Sequence, residues 1–349
     1  MKKIINRLHH DRDLPDNELA ALIDNNSHED ELFEKADSVR REHYGTDVYI
    51  RGLIEISNYC KNNCYYCGIR ADNRHVERYR LSSEEILSCC REGRALGFRT
   101  FVLQGGEDPF FTEALIADLI TEIKKQNPGC AVTLSLGERP VETYTTWFKA
   151  GADRYLLRHE SACEQHYRLL HPESMSLENR KNCLRSLKKI GYQTGSGFMA
   201  GAPHQTTAHL IEDLRFLQEL QPEMIGIGPY ISHKHTPFRD FPSGDFHRCL
   251  RLLAIIRLMF PESLIPATTA LGTIDPQGRE MGLKAGANVV MPNLSPVYVR
   301  KRYELYDNKI CTNEEAAECR SCLENRVKNA GYCIVTHIGH AKKKKMDII

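Results

Sequence analysis

The fold and the chemistry of this chain are both decided by one stretch, Cys60-Lys61-Asn62-Asn63-Cys64-Tyr65-Tyr66-Cys67. Three thiols spaced C-x3-C-x2-C can hold three irons of a four-iron cluster, which leaves the fourth iron without a protein ligand. Structural metal sites are normally closed, whereas reactive sites keep a vacant position. The spacing therefore predicts a reactive [4Fe–4S] centre rather than a structural one.

The composition of the chain excludes several classes of protein. Its 349 residues carry a formal net charge of +1, which gives no reason to expect a nucleic-acid partner. No apolar run approaches the ~20 residues that span a bilayer, so we expect no membrane segment. Residues 1–7 turn polar too soon for a signal peptide, and the chain is predicted to be cytoplasmic.

Cysteine is frequent, with thirteen in the chain. In a reducing compartment so many thiols indicate metal ligands together with ordinary buried cysteines. Three belong to the opening stretch. Three more, spaced C-x7-C-x2-C near the C-terminus, are Cys311, Cys319 and Cys322. We expect the other seven, which are scattered, to pack mainly as small hydrophobic side chains.

Short β-rich runs alternate with amphipathic helical stretches along most of the chain. The predicted strands are 48–57, 100–104, 131–136, 154–158, 193–199, 224–227, 264–268 and 288–291. The predicted helices between them include 83–96, 113–125, 141–150, 177–190, 207–219, 246–259 and 278–285. Eight strands joined by helices predict an α/β fold, the (β/α)8 barrel of the TIM type. A doubly wound open sheet is the alternative, and the strand count favours the barrel.

The predicted barrel divides the chain into three segments. Residues 1–47 form a helical lead-in, residues 48–296 the barrel, and residues 297–349 a C-terminal extension with the second cysteine group. In such barrels the active site lies at the C-terminal ends of the strands. The opening cysteines directly follow the first predicted strand, so they are expected at the mouth of the barrel.

Other strand ends carry further candidates. Gly105 and Gly106 follow the second strand, where they form either a tight turn or a place at which a ligand approaches bare backbone. Arg154 and Arg158 lie four residues apart in one strand, so their side chains are expected on the same face. Two inward arginines are costly unless an anion, a ligand or a carboxylate such as Glu160 meets them.

The cysteine stretch, with the aromatic Tyr66 just before its last cysteine, resembles the signature of the radical S-adenosylmethionine (radical SAM) superfamily. The resemblance implies that the open iron chelates the amino and carboxylate groups of SAM. Reduction then cleaves the sulfonium and gives a 5′-deoxyadenosyl radical. In that family Tyr66 would lie near the adenine, and Gly105-Gly106 would meet the SAM amino group through the backbone.

Further stretches resemble the [FeFe]-hydrogenase maturases of the HydE family within that superfamily. They read Thr-Leu-Ser-Leu-Gly-Glu at 133–138, Ala-Asp-Arg-Tyr-Leu-Leu-Arg-His-Glu at 152–160, Gly-Ile-Gly-Pro-Tyr at 226–230, Ile-Pro-Ala-Thr-Thr-Ala at 265–270 and Gly-Ala-Asn-Val-Val-Met-Pro-Asn at 286–293. The likeness implies that Glu160 and Arg180 hold SAM, with Arg180 at its carboxylate and Ser135 nearby. Gly105 departs from this family, which has a serine at that position.

The same resemblance implies a substrate cavity and partners. Residues expected to line or adjoin an anion-binding cavity are Arg154, Arg158, Thr268, Thr269, Tyr303 and Tyr306. The implied task is assembly of the two-iron subcluster of the hydrogenase from a small iron-containing or cysteine-derived substrate. The implied partners are the maturases HydG and HydF and an electron donor such as ferredoxin or flavodoxin. From the residues alone, strand filling stays an alternative role for at least one of Thr268 and Thr269.

The second cysteine group matches members of that family with an auxiliary iron–sulfur cluster, of the [2Fe–2S] type. The alternative is a small zinc or iron site that fastens the C-terminal segment, with Cys333 as fourth ligand. Two other functions also stay open. One is a radical SAM enzyme on an organic substrate, of the methylornithine synthase or biotin synthase type, and the other is a non-enzymatic iron–sulfur carrier.

Overall fold

Parallel strands run through the centre of the molecule. The computed structural model describes residues 1–313 and 316–342, and the side chains of Ala317 and Cys319 lie outside that description. The strands are β1 Asp47–Ile50, β2 Gly52–Ser57, β3 Thr100–Gly105, β4 Ala131–Ser135, β5 Arg154–Leu156, β6 Gln193–Ser196, β7 Met199–Ala200, β8 Met224–Ile225, β9 Gly228–Pro229, β10 Val289–Val290 and β11 Cys333–Val335.

Helices connect and surround these strands. They are α1 Lys2–Asp11, α2 Asp16–Asp24, α3 Glu29–Tyr44, α4 Ser83–Ala95, α5 Glu113–Gln126, α6 Val141–Lys149, α7 Glu164–Leu170, α8 Leu177–Ile190, α9 Thr207–Leu220, α10 Phe246–Met259, α11 Thr269–Ile274, α12 Gly278–Lys284, α13 Val297–Arg300 and α14 Ala316–Asn329. None of the described helices combines the length and apolar character needed to cross a membrane.

The strands close into a ring. Six of them pair in the order β2-β3-β4-β5-β6-β8, all parallel. Parallel bridges from Met224 to Leu264 and from Pro266 to Val289 continue the ring, and β10 then pairs with β1. The bridge between Leu53 and Asn293 completes it next to β2. The (β/α)8 barrel that the strand pattern predicts is therefore confirmed, and the open sheet is excluded.

Several predicted strands are shorter or broken in the structure. The predicted strand 48–57 divides into β1 and β2, while 193–199 and 224–227 divide into β6 with β7 and β8 with β9. Residues 264–268 contribute isolated bridges instead of a regular strand. Gly197, with a φ of 155°, leaves the ordinary strand region between β6 and β7. The strand ends nearest the mouth are thus the irregular ones.

Polar N-caps end several loops at the mouth of the barrel. Ser82 and Glu85 form a capping box at the start of α4, and the side chains of Thr112, Ser176 and Asp245 cap α5, α8 and α10. Each cap satisfies a backbone N–H that the first helical turn leaves without a partner. The caps therefore define where each loop ends and its helix begins, which helps to position the side chains that the loop carries.

The lead-in and the C-terminal segment both pack onto the barrel. Helix α3 lies against α10, and the fully buried Arg40 donates to the carbonyl oxygens of Ala287, Gly45 and Asp47. Strand β11 pairs in parallel with β1, on the side opposite β10. The residues after β11 cover the N-terminal ends of the strands. The floor of the barrel is thus closed by the end of the described chain.

Candidate active site

One cavity of about 330 Å³ lies at the C-terminal end of the barrel. It brings together fourteen residues that the sequence singled out: Cys60, Cys64, Tyr66, Cys67, Gly105, Gly106, Ser135, Arg158, Glu160, Arg180, Thr268, Thr269, Tyr303 and Tyr306. They come from loops after most of the barrel strands. Their meeting in one cavity is the geometry expected of an active site in this fold.

The loop with the opening cysteines is fixed by two residues that sequence reasoning missed. The buried side chain of Asn58 donates to the carbonyl oxygens of Glu77 and Arg302 and accepts from the N–H of Tyr79. The guanidinium of Arg78 donates only to backbone carbonyl oxygens, namely those of Asn58, Ile69, Arg70 and Asn73. Both side chains join the segment before the cysteines to the segment after them.

The environment of the three thiols suits a cationic metal group. Burial raises the pKa of Cys60, raises that of Cys64 well above the ordinary thiol value, and raises that of Cys67 to about 12. Thiolates, which are the form that binds metal, are therefore disfavoured here without a positive partner. Iron supplies that charge, so the donor set fits a cluster whose binding releases protons.

A single metal ion and an iron–sulfur cluster make different demands on cysteine ligands. Among the described side chains, no group of three or more His, Cys, Asp or Glu is arranged to hold one metal ion. A tetrahedral zinc site would need its ligands to converge on one point. Cysteines that each bind a different iron are spaced more widely, as in an iron–sulfur cluster. Three cysteines that each bind one iron are what the C-x3-C-x2-C spacing predicts.

Gly106 packs directly against the cysteine loop. A Cβ atom at this position would lie 2.1 Å from the carbonyl oxygen of Tyr59 and 2.7 Å from the Cβ of Cys60. Neither Gly105 nor Gly106 has a positive φ, so the backbone does not require glycine for a turn here. The requirement at Gly106 is close approach, and the adjacent Gly105 leaves bare backbone at the cavity wall.

Arg180 reaches the cavity from helix α8 and is held by carboxylates. Its Nε lies 2.6 Å from Oε1 of Glu138, and its Nη2 lies 3.9 Å from Oε1 of Glu107. Burial acts to lower the pKa of Arg180, but Tyr167, Glu138 and Glu107 together raise it well above the ordinary value. The guanidinium therefore stays charged in a nearly buried place, and it can meet a carboxylate of a ligand.

Glu160 occupies a strained backbone position beside Arg158. Its φ is 64°, a left-handed conformation that costs a non-glycine residue ~1–2 kcal/mol. Its N–H donates to the carbonyl oxygen of Gly197 at 3.1 Å, and its carboxylate lies 2.8 Å from Nη2 of Arg158. Strain of this kind persists where the surroundings hold it, and it is often found at functional sites.

A buried network holds the strained residue from behind. His159 contacts the hydroxyl of Ser196 through Nδ1 at 2.9 Å and Oδ1 of Asp213 through Nε2 at 3.2 Å. Asp213 also accepts the N–H of Ala162 at 2.5 Å. Burial lowers the pKa of His159 to about 3 and raises that of Asp213 well above its ordinary value, so both neutral forms are favoured. Sequence reasoning missed this network because its members are up to 54 residues apart.

We expect Asp213→Ala to lower the free energy of unfolding by about 3 kcal/mol. The change leaves the N–H of Ala162 buried without a partner, which costs ~1–3 kcal/mol, and it removes the carboxyl group that packs against Nε2 of His159. Asp213→Asn should lose less, because its amide oxygen still accepts the N–H of Ala162. Denaturant titration measures both, and an alanine variant as stable as the unaltered chain would contradict the role of the network.

A buried ion pair helps to hold Tyr303 at the cavity. Nζ of Lys309 lies 2.5 Å from Oε1 of Glu55, whose side chain is 1% exposed. The same ammonium group donates to the carbonyl oxygen of Tyr303, and Gln104 donates to the Tyr303 hydroxyl at 3.3 Å. Glu55 and Lys309 were not predicted, because they are 254 positions apart in the sequence and no local pattern marks them as a pair.

The two threonines stand at the start of helix α11, not within a strand. Thr268 is the N-cap residue, and its buried Oγ1 has no hydrogen-bond partner among the described residues. Thr269 lies 3.5 Å from Nη2 of Arg279 through its Oγ1. A buried hydroxyl without a partner at a cavity wall is a ready donor or acceptor for a ligand.

Arg154 does not line the cavity, and the prediction that pairs it there with Arg158 is corrected. It is fully buried at the start of β5, near the floor of the barrel. Its Nη2 donates to the carbonyl oxygens of Ile338 and Gly339 at 3.0 and 3.1 Å. Four residues along a strand keep the same face but span ~13 Å, so the two arginines lie at different depths.

The second cysteine group is brought together only in part within the described residues. Cys311 and Cys322 line a pocket of about 390 Å³ together with Arg279 and Arg326. Nη2 of Arg279 lies 3.3 Å from the sulfur of Cys311. Cys319 falls within α14, but its side chain lies outside the described residues. Cys333 lies in β11 and does not line this pocket, so the structure does not support it as a fourth ligand.

Comparison with known proteins agrees with this geometry. A family model described as the radical SAM superfamily matches residues 54–217. The chain is 48% identical over 312 residues to the [FeFe] hydrogenase maturase subunit HydE of Thermotoga maritima, covering 89% of each chain. It is 31% identical over 287 residues to 3-methylornithine synthase of Methanosarcina barkeri, covering 81% of this chain and 80% of the relative.

Solved structures show the same fold. The crystal structure of methylornithine synthase (PylB) superposes with a TM-score of 0.84 at 28% identity, covering 95% of this chain and 97% of that one. The cysteine loop, the barrel and the near-complete coverage by a relative of 48% identity lead to one assignment. The chain is a radical SAM enzyme, and within that superfamily it belongs to the family of the [FeFe] hydrogenase maturase subunit HydE.

Proposed function

We propose that this chain cleaves SAM reductively to a 5′-deoxyadenosyl radical during assembly of the two-iron subcluster of the [FeFe]-hydrogenase active site. The observation that carries the proposal is one cavity, which unites three half-buried thiols with an arginine, threonine and tyrosine lining. The 48% identity to a HydE subunit over most of both chains supports the hydrogenase part of the proposal.

Cys60, Cys64 and Cys67 hold the [4Fe–4S] cluster in this proposal. When bound, the cluster supplies one electron for cleavage of the SAM sulfonium. Tyr66 then faces the adenine, and its hydroxyl lies 3.2 Å from Nε2 of His171, which fixes the ring. The bare backbone of Gly105 and Gly106 is placed to meet the amino group of SAM.

The carboxylate of SAM, which is attached to the same carbon atom as the amino group, is assigned to Arg180. Arg180 presents a permanent positive charge to the carboxylate, while Glu160 and Ser135 offer oxygen acceptors nearby. Glu107 and Glu138 hold the arginine in place and do not need to touch SAM themselves. A positioned ligand of this kind gains rate through orientation, which can be worth ~7–11 kcal/mol.

Arg158, Thr268, Thr269, Tyr303 and Tyr306 form the proposed substrate side. Their donors suit a small anionic substrate, such as an iron complex or a cysteine derivative with a carboxylate. The free Oγ1 of Thr268 and the Arg158 guanidinium face the cavity in which the radical is generated. The barrel walls limit access of water to that space, which protects a reactive intermediate.

The proposed partners follow from the same assignment. They are the maturases HydG and HydF on the substrate side and a ferredoxin or flavodoxin on the reducing side. The described cysteines form no disulfide, which suits the reducing cytoplasm that we propose as the compartment.

The proposal is tested by anaerobic reconstitution of the cluster followed by addition of SAM and dithionite. We expect 5′-deoxyadenosine and methionine in equal amounts, measured by mass spectrometry. A chain with an intact cluster that forms neither product is not a radical SAM enzyme. In a strain that makes [FeFe] hydrogenase, deletion of this chain should abolish hydrogenase activity; unchanged activity contradicts the maturase role.

We expect Arg158→Leu to reduce hydrogenase maturation at least about tenfold while SAM cleavage stays within about threefold. The guanidinium is assigned to the substrate, and one lost charge-assisted hydrogen bond is worth ~1.5–3 kcal/mol. Arg158→Lys is the matched control, because it keeps the charge but not the planar donor fork. Its maturation activity should lie between that of the unaltered chain and that of Arg158→Leu. Equal loss of cleavage and maturation would assign Arg158 to SAM instead.

The C-terminal cysteines are proposed to hold a second iron–sulfur cluster, of the [2Fe–2S] type. The pocket that Cys311 shares with Cys322 has room for one, and two arginines line it. We expect Cys322→Ala to lower iron and sulfide per chain while SAM cleavage is retained. Loss of zinc in place of iron would identify a structural zinc site, and loss of cleavage would show that this cluster takes part in the reaction.

An organic-substrate enzyme of the methylornithine synthase type is the second candidate. The TM-score of 0.84 and the 97% coverage of PylB favour it as far as shape is concerned. The sequence identity to the corresponding synthase of M. barkeri is 31%, against 48% for HydE. SAM cleavage together with unimpaired hydrogenase in the deletion strain would select this second function.

A further inference from the structure

Large apolar side chains are exposed around the mouth of the barrel. In the described chain these exposed residues are Tyr59, Phe110, Val141, Leu169 and Tyr298. Each lies on a loop or helix that follows the C-terminal end of a strand: β2, β3, β4, β5 and β10. Exposed apolar groups concentrated on one face of a protein commonly mark an interaction surface.

Two of these residues form a rigid stack beside the cluster loop. The guanidinium carbon of Arg80 lies 3.9 Å from the ring centre of Tyr59 and 4.7 Å from that of Phe110. Arg80 is fixed by two hydrogen bonds to the buried carboxylate of Asp108, at 2.7 and 3.0 Å. The Phe110 ring in turn packs edge-on against the buried Phe111 at 5.3 Å. Such an exposed stack needs little ordering when a partner binds.

The stack lies next to a cluster ligand. Tyr59 is bonded to Cys60 through the peptide link, and the neighbouring Lys61 has a side chain that is 57% exposed. We call Tyr59, Lys61, Arg80 and Phe110 the rim patch. Tyrosine, phenylalanine and arginine are enriched at protein interfaces, and tyrosine and arginine also at their energetic centres. A partner seated on the rim patch therefore lies beside the loop that carries Cys60.

The loop that carries the cysteines is positively charged within a nearly neutral chain. Residues 59–80 contain five lysines and arginines against two acidic residues, a balance of +3, whereas the whole chain is +1. The neighbouring Glu107 and Asp108 bring the balance to +1, but both are buried beneath Lys61 and Arg80. The outermost charges at the rim patch are thus positive, and they suit an acidic partner.

We propose that the rim patch is the docking surface for a small acidic one-electron-transfer protein that reduces the cluster. The inference rests on the proposed function, since cleavage of each SAM sulfonium consumes one electron. The reduced carrier protein donates that electron and is itself oxidised by one electron. The carbon–sulfur bond breaks to give methionine and the 5′-deoxyadenosyl radical. The cavity provides SAM and substrate, and the rim patch is where the electron enters.

The test measures binding directly, with oxidised flavodoxin as the acidic probe. Isothermal titration of the iron-loaded chain should show binding that weakens as NaCl rises from about 50 to 300 mM, since charge steers the contact. We expect the double variant Lys61→Gln/Phe110→Ser to raise Kd at least about tenfold and to flatten the salt dependence. Leu169→Ser is the matched control, because Leu169 is 47% exposed against 51% for Phe110 but lies on α7.

Activity with two reductants separates the docking inference from the proposed function. The single variant Phe110→Ser, which leaves the cysteine stretch and Glu107 unaltered, should cleave SAM at the unaltered rate with dithionite and show a raised KM for reduced flavodoxin. If the unaltered chain does not cleave SAM with dithionite, the proposed function is wrong. The binding measurement then still tests the rim patch as a docking surface. Unchanged flavodoxin affinity in the double variant, or an equal loss in Leu169→Ser, overturns the docking inference.

Discussion

Cys64→Ala is expected to abolish SAM cleavage. In the proposed site three cysteines anchor the cluster, and the sulfur of Cys64 lies 3.7 Å from that of Met175. Loss of a residue that merely supports a ligand already costs ~10–100-fold in metal affinity or activity. Loss of the ligand itself should lower 5′-deoxyadenosine formation at least about 100-fold.

The measurement for Cys64→Ala combines iron per chain with product analysis. Cys163→Ala is the matched control, because this cysteine is buried but does not line the cavity. The control should keep its iron and its turnover. A Cys64 variant that retains both would show that another group binds the third iron, and the assignment of the opening stretch would then fail.

Gly106→Ala is expected to disrupt the cysteine loop although it adds a single methyl group. The new Cβ would lie 2.1 Å from a backbone oxygen, and a backbone atom cannot swing away as a flexible side chain can. The carbonyl group of Tyr59, and with it Cys60, must shift by roughly 1 Å to reach ordinary contact. A misplacement of that size near the chemistry can cost ~10²-fold in rate.

Gly105→Ala provides a steric control for this prediction. Its Cβ would be 3.3 Å from the carbonyl oxygen of Ser57, a contact that a small adjustment relieves. We expect the Gly106 variant to load less iron, while the Gly105 variant loads normally. If Gly105→Ala loads iron but binds SAM weakly, the proposed backbone contact of SAM is supported; normal iron in Gly106→Ala would contradict the packing argument.

The functional residues at the mouth of the barrel could be predicted from the sequence where they are marked by local spacing. The cysteine stretch, the two glycines and the threonine pair each follow a strand, and parallel strands in a barrel bring such positions to one end. That rule needs only the order of elements. It is enough to place the cysteines, the glycines and the threonines in one cavity. The resemblance to the HydE family, and not this rule, implied the roles of Ser135, Glu160, Arg180, Tyr303 and Tyr306, which line the same cavity.

The rest depends on contacts that the order of elements does not contain. Arg154 shares a face with Arg158, but the face alone does not say how deep a side chain lies in the barrel. The ion pair of Glu55 with Lys309 joins residues 254 positions apart. His159 and Asp213 meet inside the wall, where an ordinary helix and strand pattern shows nothing unusual. Such pairs are visible only in three dimensions.

The pairing of β11 with β1 at the floor of the barrel has a consequence for how the chain folds. Asp47 pairs with Cys333 across almost the whole length of the chain, so the edge of β1 stays uncovered until the last segment arrives. Contacts between such distant positions form slowly, because a large loop must close before they bring any gain. An open strand edge in the meantime invites association with other chains. Docking of β11 therefore protects an edge of β1 that would otherwise stay open to other chains.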